Sequence, residues 1–452
     1  MIIAVLLVSI FAFLPKENQT PAIINVNNTG VLSPTNQPTP SAANKPDVIS
    51  DLGKILNNVA TGVTEAIAPP KGPGVIESAQ TIDKTVWKAV GANAWNYFQP
   101  DVGVDSSNGL PSAGLGWPFF TDWDLGVYIQ AVMDANRTGL IGKDGEWGSI
   151  SRLNKTLTFL ENRTLNNYGY PFWFYDATTG DNAPQYSDKM TFHVDTVDTG
   201  RLLVALNNLK DFNPEWKDRI NNFVYNKSGN RSDYAALVPD MKNVNDSGIY
   251  TYFVISGFAS FWPSQLGVVP DRILNNIIHA DTVSTYNVSL PKAEILCDPL
   301  LLSLFELKNN SPQIKKLTDL FYLAHESRYN ETKQYVAFSE GNSGSNGFIY
   351  EWVVLPDGRT WNVTDIYRNE LKDFNPIIYT KVAISFLALY NTSFARNMTV
   401  YLEKSLPEPS SGYSDGADYT EQIDGRILVS QVGSNTNGLI LEAASYFIQN
   451  NQ

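Results

Sequence analysis

From Ile82 onward, one segment after another carries an apolar stripe at the helical period, with very little strand-like alternation between them. The stripes recur in KTVWKAVGANAWNYF, DLGVYIQAVMDANRTGLI, SISRLNKTLTFLENRT, DTGRLLVALNNLKDF, EWKDRINNFVYN, DPLLLSLFELKN, QIKKLTDLFYLAHESRYN, IIYTKVAISFLALYNT and TNGLILEAASYFIQN. A helix with one apolar face must bury it against another element. So many helices, joined by long loops, predict an all-α toroid of paired helices more than a small bundle. No repeat of fixed length is legible, which disfavours a solenoid. Alternating strand character is confined to short pieces such as GFIYEWVVL.

The loops between these stripes share a second character, acidic and aromatic together. They are TDWDLG (121–126), FWFYDATTGD (172–181), HVDTVDTGRL (193–202), FSEGNSGSNGFIYEW (338–352), LPDGRTW (355–361) and GYSDGADYTEQ (412–422). Burying a carboxylate among indole rings is costly unless it is paired. A cleft for sugars accounts for both residue types, because aromatic faces stack on sugar rings while carboxylates bind hydroxyls and move protons. Glycosidic hydrolysis needs one carboxyl with a raised pKa and a second carboxylate as base or nucleophile.

Each candidate has a plainer alternative. Asp122 and Asp124 precede LGVYIQAVMDA, and Asp198 precedes TGRLLVALNNL, so these acids fit helix caps as well as a site. Glu340 lies in a Gly/Ser/Asn-rich loop with no helix immediately after it, which leaves less for it to do structurally. Glu351 sits between Tyr350 and Trp352, where desolvation would raise its pKa and suit a general acid. Cross-strand pairing fits it equally. Asp415, Asp418 and Glu421 fit turn decoration as well as catalysis.

Other chemistries are disfavoured. The net charge of -13 argues against nucleic acid as a partner. Cys297 is the only cysteine and sits in the apolar AEILCDPLLL, so it reads as a buried thiol. His193, His279 and His325 are far apart in sequence and lack metal-ligand spacing. No metal or cofactor is expected.

The chain opens MIIAVLLVSIFAFLP, too short to span a bilayer comfortably and suited to a signal-peptide core or short anchor at residues 1–16. Residues 17–80 read as a Pro/Asn/Thr-rich stalk with one amphipathic helix at 47–68, ahead of a domain at 81–452. Sequons begin at Asn18, Asn27, Asn136, Asn154, Asn162, Asn226, Asn230, Asn245, Asn287, Asn309, Asn330, Asn362, Asn391 and Asn397. That density predicts an extracellular, N-glycosylated surface protein. A lone cysteine in an exported chain suggests an archaeal cell surface.

The motifs fall in a recognisable order. They begin with Thr121, Trp123, Asp124, Leu125 and Gly126, then Gly139 to Ile141, then Trp173, Tyr175, Thr179 and Gly180. Val197, Asp198, Gly200 and Leu202 follow, then Ala337, Ser339 and Glu340, then Phe348, Tyr350, Asp357, Gly358 and Trp361. Thr380, Lys381 and Ala383 come next, and the series closes with Gly412, Tyr413, Gly416, Asn435, Thr436, Asn437, Ile440, Leu441 and Glu442. In this order the chain resembles the glucoamylase-like family known as domain of unknown function 3131, across most of 80–452. It departs from the family in a Gly/Ser/Asn insert after Glu340 and in its N-terminal stalk. The resemblance implies an (α/α)6 barrel with short β pieces in the loops and a glycan-handling cleft.

Two functions are then open. In the first, the chain is an extracellular glycoside hydrolase or transglycosylase acting on an oligosaccharide or polysaccharide. Glu340 leads as the acid, with Asp124, Asp198 or Glu351 as partner. Trp117, Trp123, Trp173, Trp352 and Trp361 provide stacking faces, with Tyr175, Arg201, Tyr413 and Asp415 as further contacts. In the second, it is a non-catalytic surface-layer, filament or adhesin subunit that self-assembles through residues 1–80.

Overall fold

A computed structural model describes residues 73–166, 169–183, 196–226, 234–308, 311–343, 347–418 and 431–450. The expected anchor at 1–16, the stalk and the helix at 47–68 lie outside the described residues.

Among the described residues, twelve helices build the frame. They are α1 (Lys84–Trp95), α2 (Asp122–Arg137), α3 (Ser149–Asn162), α4 (Thr196–Phe212), α5 (Lys217–Val224) and α6 (Ile249–Ala259), then α7 (Val269–Ile278), α8 (Cys297–Glu306), α9 (Pro312–Thr332), α10 (Thr380–Tyr390), α11 (Ser393–Ser405) and α12 (Ser434–Asn450). The even-numbered helices close a ring, each touching the next from α2 through α12 and back to α2. The odd-numbered helices form an outer layer: α3 lies on α2, α5 on α4, α7 on α6, α9 on α8, α11 on α10 and α1 on α12. The fold is an (α/α)6 barrel.

The burial patterns explain the two layers. In α2 every residue from Asp122 to Ala135 is buried, and in α10 every residue from Thr380 to Ala388. Outer α3 buries only one stripe, chiefly Arg152, Leu153, Thr156, Leu157 and Leu160. A helix buried all round belongs inside, and a striped one belongs outside. Glycine lets the inner helices approach closely. A Cβ on Gly257 would lie 2.2 Å from the carbonyl oxygen of Gly200, and one on Gly438 would lie 2.4 Å from Val127.

Three of the twelve helices escape the sequence pattern. α6, IYTYFVISGFA, is rich in β-branched and aromatic residues and shows no polar face. α7 and α11 are short and striped but broken by polar residues. The segment expected to begin a helix at Ile377 instead opens as a strand, and α10 starts at Thr380.

Because each inner helix is followed by an outer one running back, all six inner helices point the same way. Their first turns therefore meet at one mouth. Over it, among the described residues, lie four small sheets. β1 (Phe119–Phe120) pairs with β2 (Tyr175–Asp176), and β3 (Thr282–Thr285) with β4 (Val288–Pro291). β5 (Glu340–Asn342), β6 (Phe348–Val354) and β7 (Thr360–Asp365) form an antiparallel three-stranded sheet. β8 (Ile377–Tyr379) pairs with β9 (Gly416–Asp418).

Of the sequon asparagines, Asn154, Asn162, Asn245, Asn287, Asn330, Asn391 and Asn397 are exposed, while Asn136 and Asn226 are half-buried. Asn18, Asn27, Asn230 and Asn309 lie outside the described residues. Asn362 corrects the expectation: it is buried in β7 opposite Trp352, where no glycan could be accommodated.

Candidate active site

The site is organised by the first turn of α12. Three consecutive side chains there donate to three different carboxylates. Ser434 Oγ donates to Asp124 Oδ1 at 2.6 Å, Asn435 Nδ2 to Asp298 Oδ2 at 3.0 Å, and Thr436 Oγ1 to Asp415 Oδ1 at 2.5 Å. Successive helical side chains fan out by about 100° each, so one turn can serve acids from three elements. The positive end of the helix dipole at that turn also favours anions.

Lys381, in the first turn of α10, is buried and pairs with Asp298 Oδ2. Its charge also reaches Asp415 and Glu340. Asn435 accepts from Trp123 Nε1 at 3.3 Å, and the Trp123 ring lies 6.1 Å from that of Tyr250 at the start of α6. Five of the six inner helices thus contribute to one cluster.

Glu340 hangs over the cluster from β5, only 5% exposed. Burial and then the Asp298 charge push its carboxyl up to about 7, against the opposing pull of Lys381, a hydrogen bond from Tyr250, and Arg368. Asp415, with 8% exposed, is pushed up to about 6 by burial, with the Thr436 hydrogen bond and Lys381 opposing. Two carboxyls near one lysine are thereby set at different proton affinities, a pattern suited to acid–base work.

Asp124 has a structural share. Thr121, not Asp122, caps α2, and Asp124 closes the capping box by accepting from Thr121 N at 3.0 Å. Burial raises its pKa, with Ser434 and Thr121 opposing. Asp122 is turned away to pair with Arg163, which also donates to the Tyr234 hydroxyl at 2.8 Å. Asp198 lies half-buried in the first turn of α4.

The remaining sequence candidates are spread more widely. Trp117 and Trp173 flank Phe174, at 5.3 and 4.6 Å between ring centroids. Their rim stays beside α12 because Ser434 N donates to Ala113 O at 2.9 Å. Trp352 is fully buried, donates to Thr364 Oγ1 at 3.0 Å and is covered by Arg368 at 4.2 Å, so its face is closed to a sugar. Trp361 turns toward α9, its ring 5.1 Å from His325 and 5.2 Å from Arg328. Tyr175 is fully buried and spends its hydroxyl on Thr164 O at 2.7 Å. Tyr413 is buried and reaches Asn93 on α1.

Glu351 alternates to the opposite face of β6 from Tyr350, the cross-strand partner of Glu340. Fully buried, it accepts from Ile377 N at 2.7 Å, and burial holds its pKa well above the usual range. Arg201 lies under the Trp123 ring at 5.3 Å and points into the barrel, pairing with Glu306 at 2.6 Å and Glu442 at 3.1 Å.

Asp298 was hidden in the sequence by its apolar neighbours, and Tyr250 by the absence of any motif. Lys381, Asn435 and Thr436 were visible only within the family pattern. Their polar types at helix starts were the signal.

Residues 89–243 and 270–450 match the family described as "Protein of unknown function (DUF3131)". The chain belongs to this family. Solved structures share the barrel of this DUF3131 member at low identity. An endo-β-1,2-glucanase from Talaromyces funiculosus, in complex with sophorose, is 11% identical with a TM-score of 0.55, covering 84% of this chain and 90% of its own. A protein from Bacteroides caccae named as a candidate glucoamylase is 13% identical with a TM-score of 0.54, covering 81% and 94%. An endo-β-1,2-glucanase from Chitinophaga pinensis, in complex with sophorotriose and glucose, is 12% identical with a TM-score of 0.52, covering 81% and 93%. No curated protein matches the sequence.

Proposed function

We propose that this DUF3131 member is a glycoside hydrolase acting on a glucan at the N-terminal mouth of its inner ring. One observation carries the reading: Glu340 and Asp415, with pKa values pushed up to about 7 and about 6, face a common lysine inside a nearly closed, tryptophan-lined mouth. Glu340 donates its proton to the leaving glycosidic oxygen as the bond to the anomeric carbon breaks. Asp415 takes a proton from the water that attacks that carbon. Asp298 acts through its charge on Glu340 and by fixing Lys381. Trp123 supplies the stacking face at the mouth, with Trp117 and Trp173 at the rim.

The glucan expectation draws on the structural neighbours, two of which carry β-1,2-linked gluco-oligosaccharides by name. An extracellular, N-glycosylated setting is part of the proposal, supported by the apolar start of the chain and by the seven exposed sequon asparagines.

The test is to incubate the purified protein and its Glu340→Gln variant with β-1,2-, β-1,3- and β-1,4-glucans and with starch. Product from the wild type and none from the variant is expected. No product from either would leave the barrel as a non-catalytic surface protein.

A further inference from the structure

Beside the two carboxyls sits a tyrosine whose hydroxyl has no protein partner. Tyr379 ends β8 and is fully buried, yet its oxygen makes no hydrogen bond. Leaving a buried hydroxyl unpaired is costly, and phenylalanine would fill the same space without that penalty. The hydroxyl therefore has a use beyond holding the fold together.

Its position indicates that use. The Tyr379 ring lies against Gly341, the residue after Glu340: a Cβ there would be 2.7 Å from ring carbon Cε1 and 3.5 Å from the hydroxyl oxygen. Across the β8–β9 pair, Tyr379 is opposite Gly416, the residue after Asp415. The next residue, Thr380, donates its N–H to the Asp415 carbonyl at 2.9 Å. The tyrosine is thus fixed between the strand that carries the acid and the strand that the base immediately precedes. Its hydroxyl feels the charges of Glu351, Asp415, Glu340 and Asp298. Four other buried polar atoms on neighbouring residues are unpartnered too: Asp298 Oδ1 on α8, Ser339 Oγ just before β5, Glu351 Oε2 on β6 and Thr380 Oγ1 at the start of α10. An ordered water takes two to four such partners.

We propose that the Tyr379 hydroxyl donates a hydrogen bond to the attacking water and holds it in line for Asp415. This rests on the hydrolase reading above and adds to it a residue that orients the nucleophile. In the step, the water oxygen forms the new bond to the anomeric carbon, its proton passes to Asp415, and the tyrosine keeps its own.

The experiment is Tyr379→Phe, assayed with wild type and Glu340→Gln on whichever of the four glucans the wild type cleaves fastest. Thermal unfolding is followed alongside. The expected result is a kcat about 100-fold lower, since a misplaced reactant costs on that order, with KM within about twofold. The melting temperature should be unchanged or higher, because the hydroxyl satisfies nothing in the free protein. Unchanged kcat, or a loss confined to KM, overturns the proposal, the latter by showing that the hydroxyl meets a sugar instead. A melting temperature lowered by several degrees also overturns it, by showing that the hydroxyl is structural. If wild type and Glu340→Gln are equally inactive, both this proposal and the hydrolase reading fail. If wild type is active, Glu340→Gln inactive and Tyr379→Phe unaffected, only the tyrosine proposal fails.

Discussion

The ring of inner helices buries acids in two places, and they are built differently. At the mouth, Asp124, Asp298 and Asp415 each receive a side-chain hydrogen bond from the first turn of α12, and Glu340 hangs over them from a strand. Deeper in the barrel, Glu306 and Glu442 face each other across Arg201, with Asp134 nearby. Burial raises the pKa of Asp124, Glu340 and Asp415 at the mouth and of Glu306 and Glu442 below it, so a raised value alone does not identify a catalytic acid. What separates them is the company each keeps. The mouth acids have polar donors, a lysine and tryptophan beside them, and Asp124, Glu340 and Asp415 keep some exposure, though Asp298 has none. The deep acids have one guanidinium whose Nε and Nη1 make no hydrogen bond, and Glu306 is sealed.

The sharpest test of this contrast is Glu340→Gln. Loss of a general acid should lower kcat by about 10²- to 10⁴-fold, with little change in the urea midpoint. Arg201→Met should do the reverse in kind. Removing one partner from a buried ion cluster costs roughly 3–5 kcal/mol, read as a lower denaturation midpoint. If instead Arg201→Met left stability intact and removed activity, the two regions would be one functional unit and the contrast would fail. Asn435→Ala should fall between, lowering kcat by about 10-fold and stability by roughly 1 kcal/mol, because it frees one oxygen of Asp298 and the Trp123 indole.

The pH behaviour sharpens the same comparison. With Glu340 as the acid and Asp415 as the base, as proposed above, kcat/KM should be bell-shaped, with an acid limb near 6 and an alkaline limb near 7. Stability should follow all the raised carboxyls, the deep pair together with those at the mouth. Their pKa values are raised in the folded state, so the native protein holds protons that the unfolded chain has released above about 4.3. Stability therefore falls as pH rises from about 4.3 through the folded values. The smallest effect is expected of Glu442→Gln, which should flatten that decline and leave the activity bell in place. A shift of the bell instead would show the two clusters to be coupled.

Much of the frame was legible in the sequence. Striped helices such as α3 and α9 announce themselves, and the acidic–aromatic loops flagged Asp124, Glu340 and Asp415 before any geometry was known. α6 did not, because a helix buried on every side loses the polar face that periodicity detects. Asp298 was missed for a related reason: its neighbours in CDPLLLSLFE face the core, and an acid at the start of such a run looks like a cap. Trp352 and Tyr175 were aromatic residues in acidic loops and so resembled sugar contacts. Only packing reveals that their faces are already covered. Glu351 illustrates strand alternation, since one step along β6 carries a carboxyl to the other side of the sheet.

The first turn of α12 has one more implication. The helix that supplies hydrogen bonds to three acids is also the sixth member of the inner ring, and it follows every other element in chain order. A chain synthesised only as far as residue 430 would carry all four acids of the mouth yet lack the scaffold that aims them. Competence for chemistry would then arrive in a single late step of assembly, so that nascent or truncated copies stay inert.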